Sequence, residues 1–217
     1  MKRHFLWVFV LKFLIIQAQG FGIHFGYNLG RMELSGPLAG ELYRNHLTGF
    51  EGGLHGGLDY ELILPQHFML SLGMAFTQYG GQWHRSDTSY MMSLNYIELP
   101  FMIKYNIELS RLTSVFIKAG GLGGYAVKGR YGYWTEGMAA SSDVILDYGY
   151  YPCRHEKLQI LKLNFALKGG IGLKIDKYEG GLYYTYGIQN INLVPGGFAR
   201  VGLITFIAGM RLGDMPY

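Results

Sequence analysis

The stretch 159-QILKLNFALKGGIGLKI-175 decides the fold, because its apolar residues recur at every second position. Side chains alternate between the two faces of a β-strand, whereas on a helix the same lysines would scatter around the axis. One face is apolar, and the other carries small and charged residues. The apolar face consists of Leu161, Leu163, Phe165, Leu167, Ile171, Leu173 and Ile175, and the polar face of Lys162, Asn164, Ala166, Lys168, Gly170, Gly172 and Lys174.

The same alternation recurs along the chain and predicts eight strands. Most of these stretches reach the length of about 9–11 residues that a tilted strand needs to cross a membrane. Strands of soluble proteins are commonest at about 5–6 residues. The predicted strands cover residues 21–29, 50–62, 67–78, 94–107, 113–127, 159–175, 179–189 and 201–212.

The connections between these strands alternate between long and short. Long loops are expected at residues 30–49, 79–93 and 128–158, and tight turns at residues 63–66, 108–112 and 176–178. An antiparallel meander with its long loops at one end is the layout of outer-membrane barrels. The pattern therefore predicts an all-β fold, an eight-stranded antiparallel up-and-down transmembrane β-barrel in the outer membrane.

Periodicity alone does not say which face points outward, and a soluble secreted lipocalin-like ligand-binding barrel would have its apolar face inside. Three observations favour apolar residues outside: the polar face is rich in small residues, aromatic residues fall near strand ends, and the charges on the polar face nearly balance. Unpaired buried charge is costly, so balance predicts a paired interior. The predicted interior network consists of Glu51, Asp59, Glu61, Glu98, Lys104, Lys118, Lys162, Lys168, Lys174, Glu179 and Arg211.

The N-terminus has the pattern of a secretory signal peptide. A basic start and an apolar stretch precede the small-residue site Ala18-Gln19-Gly20, which predicts a signal peptide over residues 1–20 and a barrel domain over residues 21–217.

Charged residues make up only 16 % of the chain and the net charge is +4 without a basic cluster, so nucleic acid is not an expected partner. The single cysteine, Cys153, excludes an intramolecular disulfide.

Three segments resemble one family. The segment 96-YIELPFMIKYN-106 resembles the Tyr-Leu-Glu-Ile-Pro-Leu-Leu-Lys-Tyr signature of the PorT-like outer-membrane β-barrel proteins of Bacteroidetes. The segments 182-LYYTYGIQNIN-192 and 21-FGIHFGYNL-29 are similar to the penultimate and first strands of that family. The resemblance implies an eight-stranded outer-membrane barrel and no single activity.

Candidates for catalysis and metal binding are weakly supported. A lipid-modifying outer-membrane hydrolase would need a nucleophile, a base and an orienting group within reach of one another. No spacing selects such a set, and no metal-ligand spacing is present, so we expect no catalytic residue, cofactor or metal. The candidates for a hydrolase are His24, His55, His67, His84 and His155, with Ser71, Ser86, Ser89, Ser93, Ser141 and Ser142.

The loop 128–158 is the better candidate for function, because it combines aromatic rings with small polar residues, a composition common in recognition surfaces. The sequence therefore predicts a non-enzymatic barrel that contacts outer-membrane lipid and acts as a structural or binding element, with a possible extracellular ligand or protein bound through its loops. The possible recognition surface consists of Tyr131, Tyr133, Trp134, Tyr148, Tyr150 and Tyr151.

Proline is disfavoured inside a sheet, and a closed barrel has no edge to accommodate it. We therefore predict a bulge or a missing ladder bond at Pro100.

Overall fold

Eight antiparallel strands close into a ring in the computed structural model, which describes residues 18–38, 41–85, 87–135, 138–147 and 159–212. Each strand of the ring pairs with its two neighbours, and pairing between the fifth and sixth ring strands, residues 113–135 and 163–175, closes the barrel. The predicted fold class is therefore confirmed. No helix among the described residues is long and apolar enough to span a membrane.

The strands, in chain order, fall into two groups. The ring is formed by β1 (Ala18–Leu38), β3 (Glu51–Ile63), β4 (Phe68–Arg85), β5 (Thr88–Glu108), β6 (Thr113–Thr135), β10 (Leu163–Ile175), β11 (Tyr178–Gly187) and β12 (Phe198–Leu212). Four short strands lie outside the ring: β2 (Glu41–Leu47) pairs with β1, β7 (Met138–Asp143) pairs with β6, and β8 (Ile145–Asp147) pairs in parallel with β9 (Gln159–Leu161).

The apolar face of each strand points away from the barrel axis. Leu99 is 62 % exposed, and Phe25, Leu54, Phe101 and Ile171 are also exposed on the outer wall. The alternate positions are buried, as Glu98 and Lys104 are on β5. An apolar outer wall around a polar interior suits a barrel embedded in lipid and is the reverse of the arrangement in a lipocalin.

Within the described residues, the three long loops predicted from the sequence are largely strand, so that part of the prediction is wrong there; residues 148–158 of the third loop lie outside the described ranges. Residues 79–85 and 88–93 continue β4 and β5 as one hairpin, and residues 128–135 continue β6 and pair with β7. Strand pairing there extends beyond the apolar belt, where alternate side chains need not be apolar and the period-two pattern fades. The predicted strand 159–175 is also interrupted at Lys162, between β9 and β10.

The predicted irregularity at Pro100 is present as a missing pairing without a bulge. Pairing between β4 and β5 runs to Leu72 opposite Phe101 and resumes at Ala75 opposite Glu98 in the same register. Pro100 has no N–H to donate to the ladder. Since the register is unchanged, Glu98 and Lys104 stay on the same inner face. A register shift is present instead in the pairing of β5 with β6, between Asn95 and Tyr96.

The extracellular half of the interior is filled by apolar side chains, which sequence periodicity did not predict. We call this cluster the apolar plug. Strand ends supply most of it, and Val144, Ile160 and Ile191 from the connecting segments close it from above. Its members are Met32, Leu34, Tyr79, Trp83, Met92, Leu94, Tyr96, Ala126, Val144, Ile160, Ile191, Ala199, Val201 and Leu203.

Candidate functional site

The periplasmic half of the interior holds a compact set of ionic side chains, which we call the ion cluster. Three acids and three bases meet there, supplied by five different ring strands. Each comes from an inward-facing strand position close to a tight turn or to the end of β12. The members are Asp59, Glu61, Lys104, Lys118, Glu179 and Arg211.

Arg211 connects all three acids of the ion cluster through one nitrogen. Its Nη2 atom donates to Asp59 Oδ2 at 2.7 Å and to Glu61 Oε1 at 2.6 Å. The same nitrogen donates to Glu179 Oε2 at 3.1 Å. Bonds between charged partners are short and strong, so this guanidinium ties β12 to β3 and β11 across the lumen.

The two lysines of the ion cluster complete the pairing. Lys104 Nζ lies 3.2 Å from Glu61 Oε2 and 2.5 Å from Glu179 Oε1. Lys118 Nζ lies 3.2 Å from both Asp59 Oδ2 and Glu61 Oε1. Lys104 has no exposed surface, so its charge depends on these carboxylates for the solvation that water would otherwise supply.

Glu98, a predicted member of the interior network, lies in a separate group at mid-height. Its carboxylate accepts hydrogen bonds from Thr77 Oγ1 at 2.8 Å and from the Tyr79 hydroxyl. Thr77 also contacts His55 Nδ1 at 2.9 Å, and the ring of His55 stacks on His24. Hydroxyl groups, rather than a lysine within bonding distance, solvate this carboxylate.

The remaining predicted network residues are dispersed. Lys168 is buried with its ammonium 5.6 Å from the centre of the Tyr183 ring. Lys174 is buried near the periplasmic end, opposite Glu179 in the strand register. Lys162 is half-buried at the break before β10, and Glu51 is half-buried beside Gly80 toward the extracellular end.

The aromatic side chains at the extracellular rim form a row of neighbouring rings. Trp83 stacks on Tyr90 with 5.6 Å between ring centres and an angle of 10°. Tyr90 in turn lies 6.1 Å from Tyr131 and 6.4 Å from Tyr133. We call these four residues the aromatic row. It rests on the apolar plug, because Trp83 belongs to the plug and Tyr90 and Tyr131 pack against it.

The predicted recognition surface is only partly described. Tyr131 is half-buried in the aromatic row, Tyr133 is exposed at its end, and Trp134 is 53 % exposed on the neighbouring position. Sequence reasoning missed Trp83 and Tyr90, because they belong to a different hairpin. The other predicted members, Tyr148, Tyr150 and Tyr151, lie outside the described residues.

Among the hydrolase candidates that the structure describes, one serine–histidine pair is formed; Ser86 and His155 lie outside the described residues. His84 Nδ1 lies 2.6 Å from Ser89 Oγ across the β4–β5 hairpin. Among the described residues no carboxylate contacts the His84 ring, so the orienting third group of a triad is missing there. No group of three or more His, Cys, Asp or Glu residues in the described ranges could hold a metal ion.

The barrel geometry agrees with the family to which the sequence is similar. A family model described as the outer membrane protein beta-barrel domain matches residues 17–192. The chain belongs to this family. Membership in the outer membrane protein beta-barrel domain family, together with the apolar outer wall, places the chain in the outer membrane and excludes the soluble barrel alternative.

Solved structures of bacterial surface proteins are similar to this chain at low sequence identity. Ail, the attachment invasion locus protein of Yersinia pestis, is 14 % identical, with 89 % of this chain and 99 % of Ail covered and a TM-score of 0.43. A second structure of Ail, in complex with the heparin analogue sucrose octasulfate, is 13 % identical, with 89 % and 99 % covered and a TM-score of 0.43. Neisserial surface protein A is 11 % identical, with 90 % and 99 % covered and a TM-score of 0.45. Among curated proteins, none is significantly similar to this chain.

Proposed function

We propose that this outer-membrane barrel is a non-enzymatic, closed binding element whose extracellular rim recognises a carbohydrate. The aromatic row is the observation that carries the proposal. Trp83 is buried in the apolar plug, and the row continues from it through the half-buried Tyr90 and Tyr131 to the exposed Tyr133 at the extracellular rim. Aromatic rings offer large, rigid contact area at low entropic cost, and they stack on flat apolar surfaces such as the C–H face of a sugar.

One polar group flanks the aromatic row on the neighbouring strand. In β7, Ser142 pairs with Tyr131, and the two side chains share one face of the sheet. Ser141 and Asp143, its neighbours in β7, point to the opposite face. All three are exposed. A hydroxyl group beside the rings supplies a directional hydrogen bond of the kind that a sugar requires, which supports a carbohydrate over a purely apolar ligand.

A closed barrel supports a binding role over a transport role. Eight strands leave an interior just wide enough for side chains, whereas aqueous channels use about 16 strands. Here the apolar plug fills the extracellular half and the ion cluster fills the periplasmic half. Any ligand of the rim would therefore stay at the rim.

The test is binding of the protein in lipid nanodiscs to an array of bacterial and host glycans. Tyr133→Ala removes the exposed end of the aromatic row, and we expect it to weaken the best interaction about tenfold, the equivalent of about 1.4 kcal/mol. Tyr178→Ala, which removes an exposed tyrosine at the periplasmic turn, is the matched control and should bind like the parent. Equal binding by Tyr133→Ala and the parent, or no glycan bound above empty nanodiscs, would contradict the proposal.

Acyl-ester hydrolysis of a lipid is the second candidate, and the His84–Ser89 contact favours it. A serine activated by histidine is a common nucleophile, but the pair also needs an orienting group and donors for the oxyanion. We expect identical lipid profiles by mass spectrometry in cells expressing the parent or Ser89→Ala. A lipid species that disappears only in Ser89→Ala would establish hydrolysis in place of a purely binding role.

The narrower assignment to the PorT-like branch is also part of the proposal. It is supported by the Glu-x-Pro strand, in which Glu98 is buried at mid-height and Pro100 interrupts the ladder with β4. A phylogeny of the outer membrane protein beta-barrel domain family in which the chain groups outside the PorT-like branch would contradict the assignment.

A further inference from the structure

A small cavity lies inside the barrel between the ion cluster and the Glu98 group. Its volume is about 60 Å³. At about 10–15 Å³ per molecule, that is room for about four waters or for one or two ions of similar size. The cavity is lined by polar groups on one side and by Ala75, Pro100, Met102 and Phe116 on the other. Apolar walls lower the local dielectric constant and strengthen every charge interaction inside.

Lys168 faces this cavity with an incomplete set of partners. It is 7 % exposed, and the face of the Tyr183 ring is its nearest contact. Among the described residues, no carboxylate lies within 4.0 Å of its ammonium, in contrast to Lys104 and Lys118. A buried ammonium without a close counterion is costly, so this position calls for a compensating negative charge.

One further donor lines the same cavity with unused hydrogen-bonding capacity. Arg211 binds its three acids through Nη2, while its Nη1 has no partner among the described residues. The Arg211 side chain is about 96 % buried. His55 also lines the cavity but offers it no donor: Thr77 donates its proton to Glu98, so His55 Nδ1 donates to Thr77, and Nε2 of the neutral ring is an acceptor. Two separate strands thus direct cationic groups at this space.

The charge of the interior points to the sign of the missing group. In the part of the chain that the structure describes, five buried bases face three buried acids and the partly exposed Glu179, an excess of one positive charge with histidine neutral. The cavity lining also includes Asp59 and Glu179. Both Glu179 oxygens and Asp59 Oδ2 are engaged by the ion cluster, and Asp59 Oδ1 lies 3.6 Å from His24 Nδ1. The donors left over are therefore cationic or N–H groups.

We propose that the cavity is a binding site for a single small monovalent inorganic anion, of the halide class, held by Lys168 Nζ and Arg211 Nη1. Such an ion neutralises the excess charge and supplies an acceptor to both donors. Its role is structural: it completes the polar interior between the ion cluster and the apolar plug. The site is independent of any ligand at the aromatic row.

The experiment uses bromide as the probe on the folded protein in detergent. We expect the unfolding temperature to rise in sodium bromide by about 3 °C over sodium gluconate at equal ionic strength, the shift for about tenfold excess of ligand over its Kd. Gluconate is too large for the cavity. Lys168→Met should abolish the rise, and Lys177→Met, which removes an exposed turn lysine, should keep it. An equal response of the parent and Lys168→Met would overturn the proposal.

A second measurement uses only the parent protein and therefore tests the proposal even where Lys168→Met does not fold. Crystals of the parent protein grown with bromide should show an anomalous scattering peak in the cavity, within hydrogen-bond distance of Lys168 Nζ and Arg211 Nη1. Ordered water without an anomalous peak would overturn the anion site.

Discussion

Glu61 is the residue on which the ion cluster depends most. Its two oxygens contact Lys104, Lys118 and Arg211, and it is almost fully buried. Removing one partner from a buried ionic set leaves the others uncompensated, which costs far more than the net stability that the pair supplied. The acid is therefore expected to be much less tolerant of substitution than any exposed acid of the barrel.

Glu61→Gln keeps the size of the side chain and removes its charge. We expect the free energy of unfolding to fall by about 3–5 kcal/mol. Glu33→Gln is the matched control, since Glu33 pairs with Arg200 at 3.8 Å on the exposed surface and should change stability by about 0–1 kcal/mol. Urea titration of the two variants in phospholipid vesicles measures both values, and similar losses would contradict the assignment.

Gly22 provides the space that the ion cluster needs. A Cβ atom at this position would overlap Asp59 Oδ1 and lie 2.9 Å from Arg211 Nη1. Both side chains are held by several bonds, so neither can move away cheaply. We expect Gly22→Ala to lower the free energy of unfolding by about 1–3 kcal/mol, the usual cost of overpacking.

Gly56→Ala is the control for this effect. Its Cβ atom would meet only the Phe25 ring, at an ordinary distance of 3.4 Å. The midpoints of heat-induced mobility shift on gels should separate the two variants, and a drop of equal size in both would remove the steric explanation.

Among the elements, the β10–β11 hairpin has a short connection, with only Asp176 and Lys177 between its strands. Asp176 has a φ angle of 55°, in the left-handed region that aspartate, asparagine and glycine tolerate better than other residues. Its N–H donates to the carbonyl of Leu112 at 2.6 Å, which joins this turn to the neighbouring one. The turn therefore depends on the residue type at this one position.

Asp176→Val is expected to destabilise the barrel by about 1–2 kcal/mol, because a β-branched residue strains the left-handed conformation. Asp176→Gly should be neutral or stabilising at the same position. Lys177→Val serves as the control, since Lys177 has no positive φ angle. Refolding yields and urea midpoints compare the three variants, and equal losses at positions 176 and 177 would show that backbone strain is not the cause.

Strand periodicity predicted the ring but not its full height. Within the membrane, lipid on the outer face and a narrow lumen on the inner face impose strict alternation of apolar and polar side chains, so the sequence predicts the strand over residues 163–175. Beyond the membrane both faces of a hairpin meet water or the plug, and segments such as Gly80-Gly81-Gln82 lose the signal. The sequence pattern also does not show the break at Lys162, where the carbonyl accepts a hydrogen bond from Ala126 N across the sheet.

The sequence predicts which side chains face the interior of the barrel, but not which of them contact one another. Parity put Glu98 and Glu61 on the same inner face, and both are buried. It carried no information on their neighbours around the ring, so the engagement of Glu98 by Thr77 and Tyr79, rather than by a lysine, needed the strand register. The apolar plug was missed for the same reason, since its members come from eight separate segments, and alternation within one strand does not show which positions meet inside the barrel.

For the whole molecule, the apolar plug and the ion cluster together fill the lumen, which predicts a barrel that does not conduct ions. The apolar plug excludes water, and the ion cluster occupies the other half with paired side chains. We expect the protein to show no unitary conductance steps in a planar lipid bilayer, since narrow eight-stranded barrels lack an aqueous channel. A 16-stranded porin recorded in the same chamber is the positive control, and discrete steps from the purified barrel would contradict the expectation.

The wide sequence separation within the ion cluster determines when the barrel can become stable. Arg211 meets Glu61 from 150 residues further along the chain, in the last strand of the ring. Without β12 in place, Asp59, Glu61 and Glu179 would have only the two lysines of the ion cluster as cationic partners. Buried carboxylates that lack partners are costly. We therefore expect an unclosed barrel to be much less stable than the closed ring, and closure by β12 to be cooperative.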